Sequence, residues 1–151
     1  MEFEHRIQVT PLEQTLPGSF KKENIWAALM HRAHSPKPFL PALENYSIRT
    51  LNQEMLERTL DFGSAQIEDT VQWLELEWVR FTTKPSAQQA GGILTIRLEE
   101  PTSGDFSLHF HYTLPLSQED EAFAGYLKSA YVQTDTDTVN IIQKLLNTLA
   151  I

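Results

Sequence analysis

Arg58 and Asp69 stand where charges are least expected. They belong to "LERTLDFGSAQIEDTVQW", residues 56 to 73, in which apolar and polar positions alternate on either side of Gly63-Ser64. Glycine at the first central position suits a two-residue type II′ turn. A hairpin closed there makes Phe62 face Ala65, Leu60 face Ile67, Arg58 face Asp69 and Leu56 face Val71. Side chains alternate along a strand, so these pairs share one side of the sheet. A slip of one residue would oppose the apolar set to Gln66, Glu68 and Thr70, so the hydrophobic pattern selects this register. The two charges therefore face the core. An isolated buried ion is costly, and the bidentate fit of a guanidinium on a carboxylate recovers much of that cost. Two roles are open to such a pair: a structural ion pair at the rim of the core, or the polar anchor of an otherwise apolar pocket. Were the pair catalytic, Asp69 would act as general acid or base. Arg58 would stabilise developing negative charge, with a tyrosine or His5 assisting.

Other residues with chemical potential carry less. His109 and His111, at i and i+2, share the outward side of their strand and lack a third ligand for zinc. His31 and His34 have no glutamate in metalloprotease spacing and read as helix-surface histidines. Asp135 and Asp137 in "TDTDT" lie about 200° apart on a helix, which reads as a solvated face. "AGGI", residues 90 to 93, lacks the spacing of a phosphate-binding loop and reads as a close strand approach or bulge. Tyr112, Tyr126 and Tyr131 each bring a hydroxyl that needs a partner when buried.

The elements that position these residues follow from punctuation and period. "FEHRIQV" alternates and is stopped by Pro11, which makes a first half-buried strand. "KKENIWAALMHRAHS" puts Ile25, Trp26, Leu29, Met30 and Ala33 on one helical face before Pro36, and "PKPFLPAL" holds a short helical turn at most. Lys21 stands where a capping Ser or Thr is expected, so Ser19 is the alternative cap. From Glu44 to Leu114 the period is two, with turn signals at Asn52-Gln53, Gly63-Ser64, Glu75, Lys84-Pro85-Ser86 and Thr102-Ser103-Gly104. This predicts six strands in an antiparallel meander. Parity puts Val79 and Phe81, then Leu94, Ile96 and Leu98, then Phe106, Leu108, Phe110, Tyr112 and Leu114 on the inner face. A final helix of about 30 residues is predicted from Ser117 as N-cap, with Glu119, Asp120 and Glu121 in its first turn. Its predicted apolar stripe is Phe123, Leu127, Ala130, Thr134, Thr138, Ile142 with Ile141, Leu145 and Leu149.

This order of elements, with "ENIWAALMHRAHSPKPFLPAL", "LERTLDF", "IEDTVQW", "VRFTT" and "AYVQTDTDTVNIIQKLL", resembles a family of short bacterial and fungal proteins in the SRPBCC superfamily. That superfamily, also called START-like or helix-grip, includes pathogenesis-related plant allergens and aromatic polyketide cyclases. The resemblance covers nearly the whole chain. It implies an α+β helix-grip fold: a curved seven-stranded antiparallel sheet wrapped around a long C-terminal helix, with two helices, one short, between the first and second strands. It also implies an apolar cavity between sheet and helix. Its motifs are structural, so they indicate a fold and leave the activity open. The cavity contacts expected on this basis are Arg58, Asp69, Leu60, Ile67, Val71 and Phe81, together with Ile96, Phe110, Tyr112, Leu127 and Tyr131.

The bulk composition sets limits. A chain of 151 residues without repeats or linkers is expected to form one domain, 1–151. No apolar run approaches the roughly 18 residues of a membrane span. The start "MEFEHRIQV" has neither a basic nor an apolar leader segment, so a cytoplasmic location is expected. The absence of cysteine excludes disulfides, thiolate metal sites and cysteine nucleophiles. A net charge of −8 has the wrong sign for attraction to phosphate backbones or anionic membranes, so neither nucleic acid nor membrane insertion is expected. No cofactor or metal is called for. The function expected from the resemblance is binding of a small hydrophobic molecule, lipid-like, aromatic or polyketide-like, and the alternative is a cyclase- or dehydratase-type enzyme using Asp69 and Arg58 in that cavity.

Overall fold

The structure, a computed structural model, describes residues 1–11, 20–87, 90–115 and 121–149. Seven strands form one antiparallel sheet: β1 (Glu2–Gln8), β2 (Asn45–Asn52), β3 (Met55–Asp61), β4 (Gln66–Leu74), β5 (Trp78–Thr83), β6 (Gly92–Thr102) and β7 (Asp105–Thr113). Their spatial order is β1-β7-β6-β5-β4-β3-β2, so the meander lies in sequence order and β1 closes it beside β7. The chain between β1 and β2 holds helix α1 (Lys22–His34) and a single 3-10 turn (Lys37–Phe39). Helix α2 (Glu121–Leu149) follows the sheet and runs for 29 residues. This is the α+β helix-grip architecture expected from the sequence.

The strand registers follow the hydrophobic pattern. Leu56 pairs with Val71, Arg58 with Asp69 and Leu60 with Ile67, and Phe62 N–H donates to the Ala65 carbonyl across the turn. The inner-face residues of β5, β6 and β7 named above are all buried, and Gln66 and Glu68 are exposed on the other side. Helix α1 lacks a side-chain cap at Lys21; Ser19, Ser117, Glu119 and Asp120 lie outside the described residues. It is held by its apolar face, and Ile25, Trp26, Ala28, Leu29 and Ala33 join the inner-face residues in one core cluster. Met30 is only partly buried against it.

Helix α2 departs from the predicted stripe. Thr138 and Ile142 of that stripe are buried, together with Asp135, Val139 and Leu146, whereas its Phe123 is 47% exposed and its Leu145 37%. The seam runs about one position away from the one drawn through the apolar letters. Its N-terminal half therefore contributes little to the core, and the helix packs chiefly on α1, β1 and the 3-10 turn.

Gly91 and Gly92 lead into β6 with positive φ, 86° and 151°. A β-carbon on Gly91 would lie 2.9 Å from the Thr83 carbonyl oxygen, and one on Gly92 would lie 2.9 Å from Leu114 Cδ2. The pair thus serves a close strand approach. Gly91→Ala should destabilise the protein by about 1–3 kcal/mol, because the new methyl meets backbone in a conformation L-residues avoid. Thermal or denaturant unfolding of the variant measures it.

Candidate functional site

Between the sheet and α2 the inner face is not completely filled. A cavity of about 310 Å³ opens there, at the low end of the range that holds drug-sized ligands. Its apolar wall is made by Leu60, Phe62, Ile67, Phe81, Leu94 and Leu114, with Leu40 from the chain after the 3-10 turn. Its polar wall is made by Arg32 from α1, Arg58 and Asp69 from the β3–β4 hairpin, Thr83 of β5, Tyr112 of β7, and Tyr131 and Thr134 of α2. Gly91, Gly92 and Ile93 complete it. Leu40, Phe62 and Thr134 also border a second hollow of about 430 Å³, lined along α2 by Asp137, Asn140, Ile141 and Lys144.

The expected contact set divides. Arg58, Asp69, Leu60, Ile67, Phe81, Tyr112 and Tyr131 line the cavity. Val71, Ile96 and Phe110 do not; they are fully buried farther along the strands, in the core cluster that includes Ile25 and Leu29 of α1. Leu127 does not either, because it sits on the poorly covered half of α2. The cause is depth: α1 fills one end of the inner face and leaves the other open.

Arg58 and Asp69 form the ion pair that the register requires. Arg58 Nε donates to Asp69 Oδ1 at 2.8 Å and Nη2 to Oδ2 at 2.6 Å, with the residues 5% and 4% exposed. The remaining nitrogen, Nη1, donates to the carbonyls of Arg32 (2.9 Å) and Ala33 (3.3 Å) in the last turn of α1. A cation at a helix C-terminus satisfies carbonyls that have no partner within the helix and complements the dipole. Every nitrogen of this guanidinium is thus engaged, and its Cζ lies 5.1 Å from the centre of the Phe81 ring.

A second polar cluster was not anticipated as such. The expected solvated face at "TDTDT" is corrected at Asp135, which is 0% exposed and points between α2 and the sheet; Asp137 is exposed. The Tyr112 hydroxyl donates to Asp135 Oδ1 and Oδ2 at 2.8 and 2.9 Å, His5 Nε2 lies 2.6 Å from Oδ2, and Arg32 Nη1 lies 3.7 Å from Oδ1. Burial pushes the Asp135 carboxyl above the usual range, opposed by the charge of Arg32 and by hydrogen bonds from Tyr112 and His5. Burial, then the charge of Asp135, raises both Tyr112 and Tyr131, so both phenols are neutral near pH 7. Their rings stack at 4.3 Å. Sequence spacing did hold a signal for Asp135, since it continues the buried Val139, Ile142, Leu146 series at four, three and four residues.

Arg32 is bound differently from Arg58. Its Nη1 donates to Thr138 Oγ1 at 3.0 Å, and its Cζ lies 5.5 Å from the centre of the Phe81 ring. Nε and Nη2 have no hydrogen-bond partner among the described residues, and no buried polar atom there is left unsatisfied, so these donors meet open space. Arg32 lines the cavity and its side chain is 11% exposed.

The His109 side chain is 12% exposed with Nε2 3.1 Å from Glu4 Oε2, and His34 is exposed with Nδ1 3.2 Å from the Met30 carbonyl oxygen. Among the described residues no group of three or more His, Cys, Asp or Glu is placed to hold a metal ion. No helix among them is long and apolar enough to cross a membrane.

Solved structures share this architecture at low sequence identity. The di-domain ARO/CYC StfQ from the steffimycin biosynthetic pathway matches at TM-score 0.71 and 12% identity over 99% of this chain and 52% of its own. Zhui aromatase/cyclase from Streptomyces sp. R1128 matches at 0.63 and 10%, over 97% and 93%. Ara h 8.0201 matches at 0.63 and 10%, over 98% of each chain. No curated protein sequence matches the chain. These neighbours share the SRPBCC-type helix-grip fold. Within it, the family model AtaL, acetylaranotin biosynthesis cluster protein L, matches residues 8–148, and the chain belongs to that family.

Proposed function

We propose that the protein binds a small hydrophobic molecule in the cavity between the sheet and α2. The observation that carries this reading is the cavity itself, apolar on one side and lined on the other by Arg32, Tyr112, Tyr131 and Thr134. A greasy wall supplies affinity and a few convergent polar groups fix orientation. The matches to structures described as aromatase/cyclases support an aromatic or polyketide-like occupant. The family's description as a biosynthesis cluster protein fits such a molecule. A net charge of −8 argues against nucleic acid as the partner, and a cysteine-free chain is compatible with the cytoplasm.

The alternative, a cyclase- or dehydratase-type enzyme in the same cavity, gains from the second cluster more than from the first. Asp69 and Arg58 would have to release one another to act, whereas Tyr112 lines the cavity and its hydroxyl is bonded to Asp135, which His5 also contacts. That chain could exchange a proton with a bound carbonyl or hydroxyl.

The test of binding is a filled cavity. Ile67→Trp places an indole in the open space beside Leu60. Stability should stay within about 1.5 kcal/mol of the parent, because added volume meets void rather than packed core. Affinity for a neutral two-ring probe, naphthalenemethanol, should fall by about tenfold or more, one pocket's share of apolar contact. Unchanged affinity would place the probe elsewhere. Native mass spectrometry of the purified protein would identify a retained ligand directly.

A further inference from the structure

We infer that the molecule held in this cavity carries an acidic group, a carboxylate or an enolate on a flat apolar body, and that Arg32 is the residue that pairs with it. The inference rests on the binding reading above and adds the charge of the ligand. The polar wall contains two guanidiniums and one carboxylate. Asp69 is wholly taken by Arg58, which also spends its last nitrogen on the end of α1. Arg32 lines the cavity, and its Nε and Nη2 have no hydrogen-bond partner among the described residues. Those two nitrogens form one edge of the planar fork, the edge that meets a carboxylate with two parallel hydrogen bonds.

The other charge near Arg32 does not cancel this. The nearest approach of Asp135 to the guanidinium is 3.7 Å, at Nη1, and its oxygens are shared with Tyr112 and His5. Thr138 fixes Nη1 and the Phe81 ring lies beside the guanidinium, so the free edge is held in place before a ligand arrives. Little ordering remains to be done on binding. Tyr131 lines the same wall and its hydroxyl can donate to a ligand oxygen, whereas the Thr134 hydroxyl beside it donates to the Ala130 carbonyl at 3.0 Å. The rest of the molecule works against non-specific attraction, since a chain of net charge −8 repels anions at a distance. A preference for an anion would therefore report the cavity and not the surface.

The experiment compares naphthoate with naphthalenemethanol, equal in size and different in charge, by calorimetric titration at pH 7 on the parent and on Arg32→Gln. The parent should bind naphthoate about tenfold or more tighter than the alcohol, the usual worth of a hydrogen bond to a charged partner. Arg32→Gln should bring the ratio close to one, with naphthoate losing more affinity than the alcohol. Equal binding of both probes by the parent would overturn the acidic-ligand assignment and leave the binding reading standing. Failure of both probes at millimolar concentration would overturn the two together. A preference that survives Arg32→Gln would remove Arg32 from the role. The parent comparison stands whether or not the variant folds.

Discussion

Arg58→Leu is expected to lower the free energy of unfolding by about 3–5 kcal/mol, the cost of stranding one member of a buried ion pair. The leucine would leave the Asp69 carboxylate, 4% exposed, without its two donors. It would also take a donor from the carbonyls of Arg32 and Ala33, so the end of α1 loses its tie to the sheet. Asp69→Asn should cost less than a nonpolar replacement there, since its amide oxygen can still accept from Arg58. Denaturant unfolding with a shared slope for parent and variants makes the comparison direct. A loss under about 1 kcal/mol for Arg58→Leu would put the pair in the class of exposed surface contacts and undo the buried-pair account.

That pair was legible in the sequence because a strand's period of two leaves no freedom. Once Gly63-Ser64 is taken as the turn, Arg58 must oppose Asp69, and the leucines on either side fix which face is inner. The same argument gave the inner faces of β5, β6 and β7. It could not give depth along a strand. Ile67 and Val71 share a face, yet one lines the cavity and the other is packed in the core, because the distinction is made by where α1 lies. Helices were harder still. A helical stripe drawn through apolar letters passes beside Asp135, and only the arrival of Tyr112, His5 and Arg32 from three other elements makes a carboxylate tolerable there. Arg32 was unremarkable for the same reason: its free edge is defined by what Arg58 and Asp69 do with each other.

Asp135 is where the identity of a replacement should matter most. Asp135→Leu would leave the Tyr112 hydroxyl, His5 Nε2 and the Arg32 charge without their acceptor. A loss of about 3–5 kcal/mol is expected, as for other broken buried pairs. Asp135→Asn should be far milder, since its oxygen can accept from Tyr112 and its amide can donate to a neutral His5. The pH dependence separates a buried acid from a charge-stabilised carboxylate. Burial raises the Asp135 carboxyl in the folded protein. Between the ordinary carboxylate value, about 4, and that raised value, the folded state holds more protons than the unfolded chain. Stability from this group is therefore fully present below the unfolded value and is lost as pH rises through the interval. Asparagine does not titrate. The stability of the parent relative to Asp135→Asn should accordingly decline as pH is raised from about 4. Repeating the comparison in a His5→Gln background removes the imidazole beside Asp135 and should preserve the sign. An increase with pH instead would mean that Arg32, His5 and Tyr112 outweigh burial, and that the cluster holds Asp135 as a settled anion rather than as an acid able to pass its proton toward the cavity.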